Sequence, residues 1–248
     1  MYNPFSLKTK KILITGASSG IGQATAIECS KMGATVIITG RNKKRLNETF
    51  NKLEGDGHAQ IVFDFENISG INDFINLIPC INGVVHCAGI NDLTPFPFVN
   101  EKKLNKIFST NFFTPVLITK EILKEKKLLK GGSVVFISSV SGPICSCSAG
   151  GLYSSTKGAI HGMAKGMALD LAVKKIRVNT VQPGNINTNI FKDGQLSKEQ
   201  LQEDIKKYPL KRHGEPEEVA YAIIYLLSDA SCWVTGSNLL IDGGFTLQ

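Results

Sequence analysis

Apolar and polar residues follow a repeating order along the chain, in which short apolar runs alternate with longer amphipathic stretches. The short runs are continuously apolar and rich in β-branched residues, which is typical of strands buried on both faces of a sheet. They predict seven strands, at Lys11–Thr15, Thr35–Thr39, Ala59–Phe63, Gly83–His86, Ser133–Ile137, Ile176–Val181 and Asn238–Ile241. The amphipathic stretches predict helices, among them Gly20–Met32, Lys102–Lys127, Tyr153–Val173 and Pro216–Ser228.

This alternation predicts βαβ crossovers, because parallel strands of one sheet are joined by a connection that returns to the same edge. We therefore expect an α/β protein with a Rossmann fold, a doubly wound seven-stranded parallel sheet with helices on both faces. No linker, repeat or low-complexity stretch divides the sequence, so residues 1–248 are interpreted as a single domain. The segments Phe96–Phe98 and Asn185–Tyr208 are predicted as insertions over one face.

Composition limits the class of protein. Hydrophobic residues make up 42% of the chain and charged residues 20%, which are ordinary values for a globular protein. No apolar run approaches the roughly 18 residues that a membrane-spanning helix needs. The residues up to Lys11 lack the apolar core and the cleavage site of a signal peptide. We therefore expect a cytoplasmic protein without a membrane partner.

The net charge of +7 and the six cysteines suggest no further partner. The lysine clusters have acidic neighbours and no interleaved aromatic residues, which favours solvated helix faces over a nucleic-acid surface. Their charge could still steer an anionic cofactor or substrate. The pair Cys145 and Cys147 has no histidine nearby, whereas a zinc site needs about four ligands. We interpret the cysteines as reduced side chains and expect no metal.

A glycine-rich turn follows the first predicted strand directly. It runs from Thr15 to Gly22 with the spacing Gly-x-x-x-Gly-x-Gly and leads into a helix. Glycines permit a tight turn and the close approach of a pyrophosphate, and a helix N-terminus offers unpaired N–H groups to an anion. Such a turn can also be purely structural, so its position between a buried strand and an amphipathic helix is what favours a dinucleotide site.

Over essentially its whole length the chain resembles the classical short-chain dehydrogenases/reductases, and within them the 3-oxoacyl-[acyl-carrier-protein] reductase branch. The motifs that carry the resemblance are Thr15–Gly22, Asp64, Ala88-Gly89, Asn111, Ser139, Tyr153-Ser-Ser-Thr-Lys157, Pro183-Gly184 with Thr188, and Asp242-Gly243-Gly244. Their order and separations are far more specific than any one of them. The name of the branch is also shared by many enzymes with other substrate preferences.

The resemblance implies a nicotinamide cofactor and a catalytic set of Asn111, Ser139, Tyr153 and Lys157. It also implies that the cofactor is bound by Gly16, Ser18, Ser19, Gly20, Ile21, Gly22, Arg41, Asp64, Phe65, Cys87, Ala88, Gly89, Tyr153, Lys157, Pro183, Gly184, Ile186 and Thr188.

The chemistry of this set can be argued from the residue types. Tyr153 and Lys157 are one helical turn apart and share a face, so the ammonium is expected to lower the pKa of the phenol. Tyr153 would protonate the alkoxide formed in a reduction, and Ser139 would hydrogen-bond the substrate oxygen. Successive strand residues point to opposite faces, so Ser139 rather than Ser138 is expected in the cleft. The resemblance gives Asn111 a supporting role in a water-mediated proton path to Lys157.

The residues after the second strand indicate which dinucleotide is bound. Enzymes that use NAD usually carry an acidic residue there, which holds the ribose 2′-hydroxyl. Here that position is Gly40, followed by Arg41, whose guanidinium can bind a 2′-phosphate. We therefore expect NADP(H), although Arg41 could also be a plain exposed residue at the start of a helix.

Two departures from the family pattern stand out. His86-Cys87 replaces the usual Asn-Asn before Ala88-Gly89 and cannot reproduce the amide hydrogen bonds that support the fourth strand, and we interpret His86 as a structural residue. The connection from Asp64 to Ile81 is short, which predicts a trimmed helix rather than a lost site.

The expected function is the NADP(H)-dependent reduction of a carbonyl, with a 3-oxoacyl thioester as one candidate substrate. The alternatives are the same chemistry on a sugar, a polyol or another secondary alcohol, or a non-catalytic dinucleotide sensor. The resemblance implies a homotetramer or homodimer that pairs through the long helices of Asn111 and Tyr153. Substrate contacts are expected from residues 90–98, 141–152 and 189–208, with Phe96, Phe98 and Phe191 as apolar walls.

Overall fold

The computed structural model describes residues 2–188 and 198–247. Within them, seven strands form one parallel sheet in the order β3-β2-β1-β4-β5-β6-β7. The strands are β1 (Lys11–Thr15), β2 (Thr35–Gly40), β3 (Ala59–Val62), β4 (Ile81–His86), β5 (Leu128–Ile137), β6 (Arg177–Pro183) and β7 (Asn238–Ile241). The strand order reverses between β1 and β4, which is where doubly wound folds bind their ligands. The predicted fold class is confirmed.

Helices cover both faces of the sheet. They are α1 (Gly20–Lys31), α2 (Lys43–Phe50), α3 (Ile71–Asn76), α4 (Glu101–Phe108), α5 (Thr114–Lys124), α6 (Gly151–Leu171), α7 (Lys198–Lys206) and α8 (Pro216–Leu227). The first apolar core lies between the sheet and α1, α2 and α8, and the second lies between the sheet and α3, α5 and α6. None of the helices in the described residues is both long and apolar enough to cross a bilayer.

The alternation of side chains in each strand explains its unbroken apolar sequence. In β1, Ile12 and Ile14 enter the first core and Leu13 enters the second. In β5, Val135 and Val134 divide in the same way between the two cores. All five side chains are fully buried, so both faces of the strand must be apolar.

Most elements lie within two residues of their predicted bounds, and two differ by more. The helix predicted at Lys102–Lys127 is divided into α4, a π-helical turn at Ser109–Phe113, and α5. Pro115 in the first turn of α5 has no N–H to donate, so an unbroken α-helical ladder cannot pass through it. Strand β5 starts at Leu128 rather than Ser133, because Leu128 pairs with Ile81 across an irregularity in the register. The trimmed helix after β3 is α3.

Candidate active site

The glycine turn between β1 and α1 packs directly against the segment that follows β4. Gly16 has a φ of +66°, and a Cβ added to it would lie 2.7 Å from the Ala88 Cα atom. A Cβ on Gly22 would lie 2.4 Å from the carbonyl oxygen of Gly16. The Ala88 N–H donates to Thr15 Oγ1 over 3.2 Å. The turn therefore has room for backbone only, and it brings two of the expected cofactor segments together.

The first turn of α1 is open to an anion. Ser19 is the N-cap residue, and its side chain makes no capping hydrogen bond, which leaves the first N–H groups of the helix available. Ile21 packs against the first apolar core and anchors this turn. Gly20 faces Thr188, whose Cγ2 atom would be 3.1 Å from a Cβ at position 20. The backbone here fits a bound pyrophosphate.

The carboxyl end of β2 carries Gly40 and Arg41. A Cβ on the buried Gly40 would lie 3.3 Å from Ser18 Oγ, so Gly40 lets the glycine turn pack closely on β2. Arg41 is 63% exposed, and its Nη1 atom is 3.5 Å from Glu66 Oε1. A guanidinium is therefore present, with a carboxylate beside it, at the end of β2.

The segment after β3 is held by its own hydrogen bonds. The Asp64 Oδ1 atom accepts from the Glu66 N–H over 3.0 Å. Phe65 is buried, and its carbonyl accepts from Thr114 Oγ1 on α5 over 2.7 Å. These bonds fix Asp64 and Phe65 at the same edge of the sheet as Arg41.

Two hydroxyl groups and an ammonium converge where β5 ends and α6 begins. Ser139 lies near enough to the Tyr153 phenol to lower its pKa, and Ser139 Oγ accepts from the Ser141 N–H over 3.1 Å. The Lys157 ammonium is 5.5 Å from the centroid of the Tyr153 ring and donates to the Ile137 carbonyl over 2.7 Å. This cluster combines a possible proton donor with a second group for the same substrate oxygen.

Ser138 has a different environment from its neighbour. Its Oγ atom donates to the backbone carbonyl of Lys157 over 3.1 Å, and the side chain is buried. Ser138 therefore ties β5 to α6, whereas Ser139 is the serine that reaches Tyr153.

Asn111 holds the loop after β4 through its side-chain amide. Oδ1 accepts from the Ile90 N–H, and Nδ2 donates to the Ile90 carbonyl, each over 2.9 Å. Nδ2 also donates to Thr156 Oγ1 on α6 over 3.1 Å. A Cβ on Gly89 would lie 3.3 Å from Asn111 Oδ1 and 3.8 Å from Lys157 Nζ. The amide thus brings the loop after β4 alongside α6 and Lys157.

Burial changes the pKa values of the two titratable groups. It lowers the pKa of Lys157 to about 8. It also raises the pKa of Tyr153, and the nearby Ser139 only partly opposes this. The expectation that Lys157 lowers the pKa of Tyr153 is therefore wrong. The physical reason is that the ammonium points at the Ile137 carbonyl rather than at the phenol oxygen.

The His86-Cys87 pair is accommodated without the usual amides. The His86 ring stacks on Phe136 with centroids 4.8 Å apart, and Nε2 lies 2.8 Å from Thr119 Oγ1. Thr119 Oγ1 itself donates to the Pro115 carbonyl, so it accepts from a protonated Nε2. Burial lowers the pKa of His86 to about 3 and raises that of Cys87 to about 12, which keeps both side chains neutral. The fourth strand is thus supported by an imidazole–threonine bond.

The remaining expected cofactor residues follow β6. The Gly184 N–H donates to the Ile241 carbonyl over 2.9 Å, which continues the pairing of Pro183 with β7. Ile186 is buried and pairs with Gly214. This extended path carries the chain from the end of β6 towards Thr188 and the glycine turn.

The expected substrate segments are only partly described. Phe96 and Phe98 were expected to form apolar walls of the substrate pocket. They are 88% and 69% exposed, so neither forms the wall of an enclosed pocket. Phe191 and the rest of 189–197 lie outside the described residues. The small-residue loop before α6 is fixed by a 2.8 Å hydrogen bond between Ser146 Oγ and Ser154 Oγ.

Sequence reasoning missed three residues with roles in this arrangement. Thr156 anchors Asn111, and Thr15 anchors the segment after β4. Thr15 begins the glycine-rich motif and Thr156 lies between Tyr153 and Lys157, so a hydroxyl at each of these positions was visible in the sequence. Glu66 lies beside Arg41. The sequence feature that could have indicated this residue is an acidic side chain two positions after Asp64, at an otherwise basic end of the site.

Residues 16–246 match the family model described as Enoyl-(Acyl carrier protein) reductase. The chain is 32% identical over 238 residues to the 3-oxoacyl-[acyl-carrier-protein] reductase FabG of Rickettsia typhi, covering 96% of this chain and 97% of that protein. It is also 32% identical over 257 residues to the Arabidopsis thaliana tropinone reductase homolog At5g06060, covering 98% and 95%. These relatives carry the names of different substrates.

Solved structures show the same fold over nearly the whole chain. A candidate short-chain alcohol dehydrogenase from Sinorhizobium meliloti 1021 superposes with a TM-score of 0.90 at 26% identity, covering 99% of this chain and 100% of that chain. A short chain dehydrogenase/reductase family protein superposes with a TM-score of 0.82 at 27% identity, covering 97% and 99%.

Proposed function

The chain belongs to the classical short-chain dehydrogenase/reductase family of oxidoreductases, and on that premise we propose that it reduces a carbonyl to an alcohol with NADPH. A 3-oxoacyl thioester is the first candidate substrate, because FabG proteins are among the relatives. The observation that carries the proposal is the convergence of the Ser139 and Tyr153 hydroxyls beside Lys157, at the edge of the sheet where the glycine turn lies.

In this proposal each side chain has one task at the substrate oxygen. Tyr153, with its raised pKa, is protonated at neutral pH and donates its proton to the oxygen as negative charge develops there. Ser139 donates a hydrogen bond to the same oxygen and holds the carbonyl in place. A nicotinamide dinucleotide, when bound, supplies the hydride. Lys157, still mostly charged near neutral pH, keeps its ammonium on the Ile137 carbonyl beside the Tyr153 ring.

The described residues fit such a dinucleotide. The free N–H groups at the start of α1 would hold the pyrophosphate, and Asp64 with Phe65 would contact the adenine. Tyr153 and Lys157 would hold the nicotinamide ribose. Cys87, Ala88 and Gly89 and the path through Pro183, Gly184, Ile186 and Thr188 complete the site on its other sides.

The preference for NADP over NAD is proposed from the end of β2. Gly40 leaves out the carboxylate that would repel a 2′-phosphate, and Arg41 offers an exposed guanidinium. A charge-assisted hydrogen bond contributes about 1.5–3 kcal/mol, so Arg41→Ala should weaken NADPH binding roughly tenfold or more and NADH binding much less. Dissociation constants from nicotinamide fluorescence test this. A wild type that binds NADH more tightly than NADPH would contradict the choice of NADP.

The reaction itself is tested by nicotinamide absorbance with a panel of acetoacetyl thioesters, simple ketones, sugars and polyols. Turnover of a thioester supports the first candidate substrate. Turnover of sugars or polyols alone would instead assign the enzyme to that substrate class. Tyr153→Phe is the control, because it keeps the ring and removes the acid. Dinucleotide binding without turnover of any carbonyl in the panel would favour a non-catalytic sensor.

We also propose that the protein works as a homotetramer or homodimer in the cytoplasm. Exposed apolar side chains on the π-helical turn, on α6 and just after α6 support pairing through these helices, and they include Phe113, Leu169 and Val173. All six cysteines lie in the described residues and are free, which suits a reducing compartment. Light scattering on the purified protein measures the assembly directly.

A further inference from the structure

One acidic side chain lies at the basic end of the proposed dinucleotide site. The Glu66 carboxylate oxygen Oε1 is 3.5 Å from Arg41 Nη1. The same oxygen is 4.0 Å from Lys106 Nζ on α4. Glu66 therefore lies between two cations that come from different elements of the fold.

The contacts of Glu66 can be exchanged at little cost. The Arg41, Glu66 and Lys106 side chains are 63%, 39% and 59% exposed, and ion pairs with this much solvent contribute little to stability. A ribose 2′-phosphate would need the same guanidinium that Glu66 now holds. A carboxylate accepts hydrogen bonds but cannot donate one to a phosphate, and the negative charge of the carboxylate repels that of the phosphate. Glu66 and a 2′-phosphate are thus rivals for Arg41.

We propose that Glu66 is a specificity-determining residue, which competes with the 2′-phosphate for Arg41 and so limits the preference for NADP over NAD. This inference rests on the proposed function, because it assumes that Arg41 faces the ribose. Lys106 keeps Glu66 paired when Arg41 turns to the phosphate, so the competition weakens the binding of NADPH without preventing it.

The experiment compares dissociation constants of NADPH and NADH for wild type and Glu66→Gln, measured by nicotinamide fluorescence without substrate. Glu66→Gln should tighten NADPH about two- to fivefold, the size expected for release of an exposed ion pair, and should leave NADH nearly unchanged. Glu125→Gln is the matched control. It removes an exposed carboxylate 3.8 Å from Lys124, close to the amino ends of the strands, and should change neither constant by that amount.

A double-mutant cycle separates competition from general repulsion. In the Arg41→Ala background no guanidinium remains to be released, so the gain from Glu66→Gln should fall to less than half. A gain that persists in full there overturns the inference, and so does a Glu66→Gln variant whose NADPH constant is unchanged or weaker. If Arg41→Ala itself leaves the ratio of the two constants unchanged, Arg41 does not bind the 2′-phosphate and the inference is overturned with that role; a wild type that binds NADH more tightly than NADPH contradicts the choice of NADP instead. Circular dichroism of each variant identifies any that are misfolded.

Discussion

The neighbouring serines at the end of β5 allow activity and stability to be perturbed separately. Ser139 lies near the Tyr153 phenol, whereas the buried Ser138 donates to the backbone carbonyl of Lys157. We expect Ser139→Ala to lose activity with little change in stability. We expect Ser138→Ala to lose stability with little change in activity.

The magnitudes follow from the two environments. Loss of a donor to the reacting oxygen costs about 10²-fold in kcat, which corresponds to about 2.7 kcal/mol of barrier. Loss of the buried Ser138 bond should cost about 0.5–1.5 kcal/mol of unfolding free energy. For a chain of this length, at about 2–4 °C per kcal/mol, that is a fall of about 1–6 °C in Tm. Ser139 is half-buried, so water can replace its hydroxyl and the Tm should change by about 1 °C or less.

Both variants are measured by nicotinamide absorbance for kcat and by differential scanning fluorimetry for Tm. Dinucleotide dissociation constants serve as a control, because neither serine is placed on the cofactor. The reasoning is refuted if Ser138→Ala loses as much kcat as Ser139→Ala, since that would mean that the opposite face of β5 meets the substrate.

Four further substitutions test the rest of the site and the helix that carries it. Tyr153→Phe should lower kcat by about 10²-fold or more while dinucleotide binding stays near wild type, and more than about a tenth of wild-type kcat would mean that another acid acts. Lys157 has a folded pKa of about 8 against an ordinary 10.5, so the unfolded chain binds more protons between these values and this residue makes stability rise with pH there. In Lys157→Met the rise in unfolding free energy between pH 8 and pH 10 should vanish in urea titrations. The unfolding free energy at pH 7 should increase by up to about 3 kcal/mol, because no charge is buried. An unchanged dependence of the unfolding free energy on pH would contradict the buried charge. Gly22→Ala should lower Tm and weaken dinucleotide binding, because the added Cβ would lie 2.4 Å from the Gly16 carbonyl oxygen. Gly166→Ala, with open space around the added Cβ in mid-α6, should stabilise the monomer by up to about 1 kcal/mol.

The strands were predictable because their composition reports burial directly. Residues such as Ile12, Leu13 and Ile14 are apolar since each faces a core, and the run of them is visible in sequence. The division of the helix around Asn111 could not be predicted from the sequence, because one extra residue in a single turn changes the spacing of the apolar residues too little to be detected. The early start of β5 at Leu128 depends on pairing with Ile81, which no local pattern encodes.

The site was predictable in its residue types and not in its electrostatics. The motifs placed Ser139, Tyr153 and Lys157 together, and the structure brings them together. The direction of the Tyr153 pKa shift was missed, because Lys157 is held by a carbonyl from another element. The pairing of Arg41 with Glu66 arises only because β2 and β3 are neighbours in the sheet.

The π-helical turn at 109–113 makes the number of residues in this stretch matter as much as their identity. A π-helical turn bonds i to i+5, so it holds one residue more than the turn of an α-helix. Removing any one residue here would take away the extra residue of the turn and would rotate the two flanking helices relative to each other by about 100°. Asn111 would then leave Ile90 and Thr156 even if it were retained. Point substitutions in the turn should be tolerated more readily than a single-codon deletion, which would leave every site residue in the gene and dismantle their arrangement.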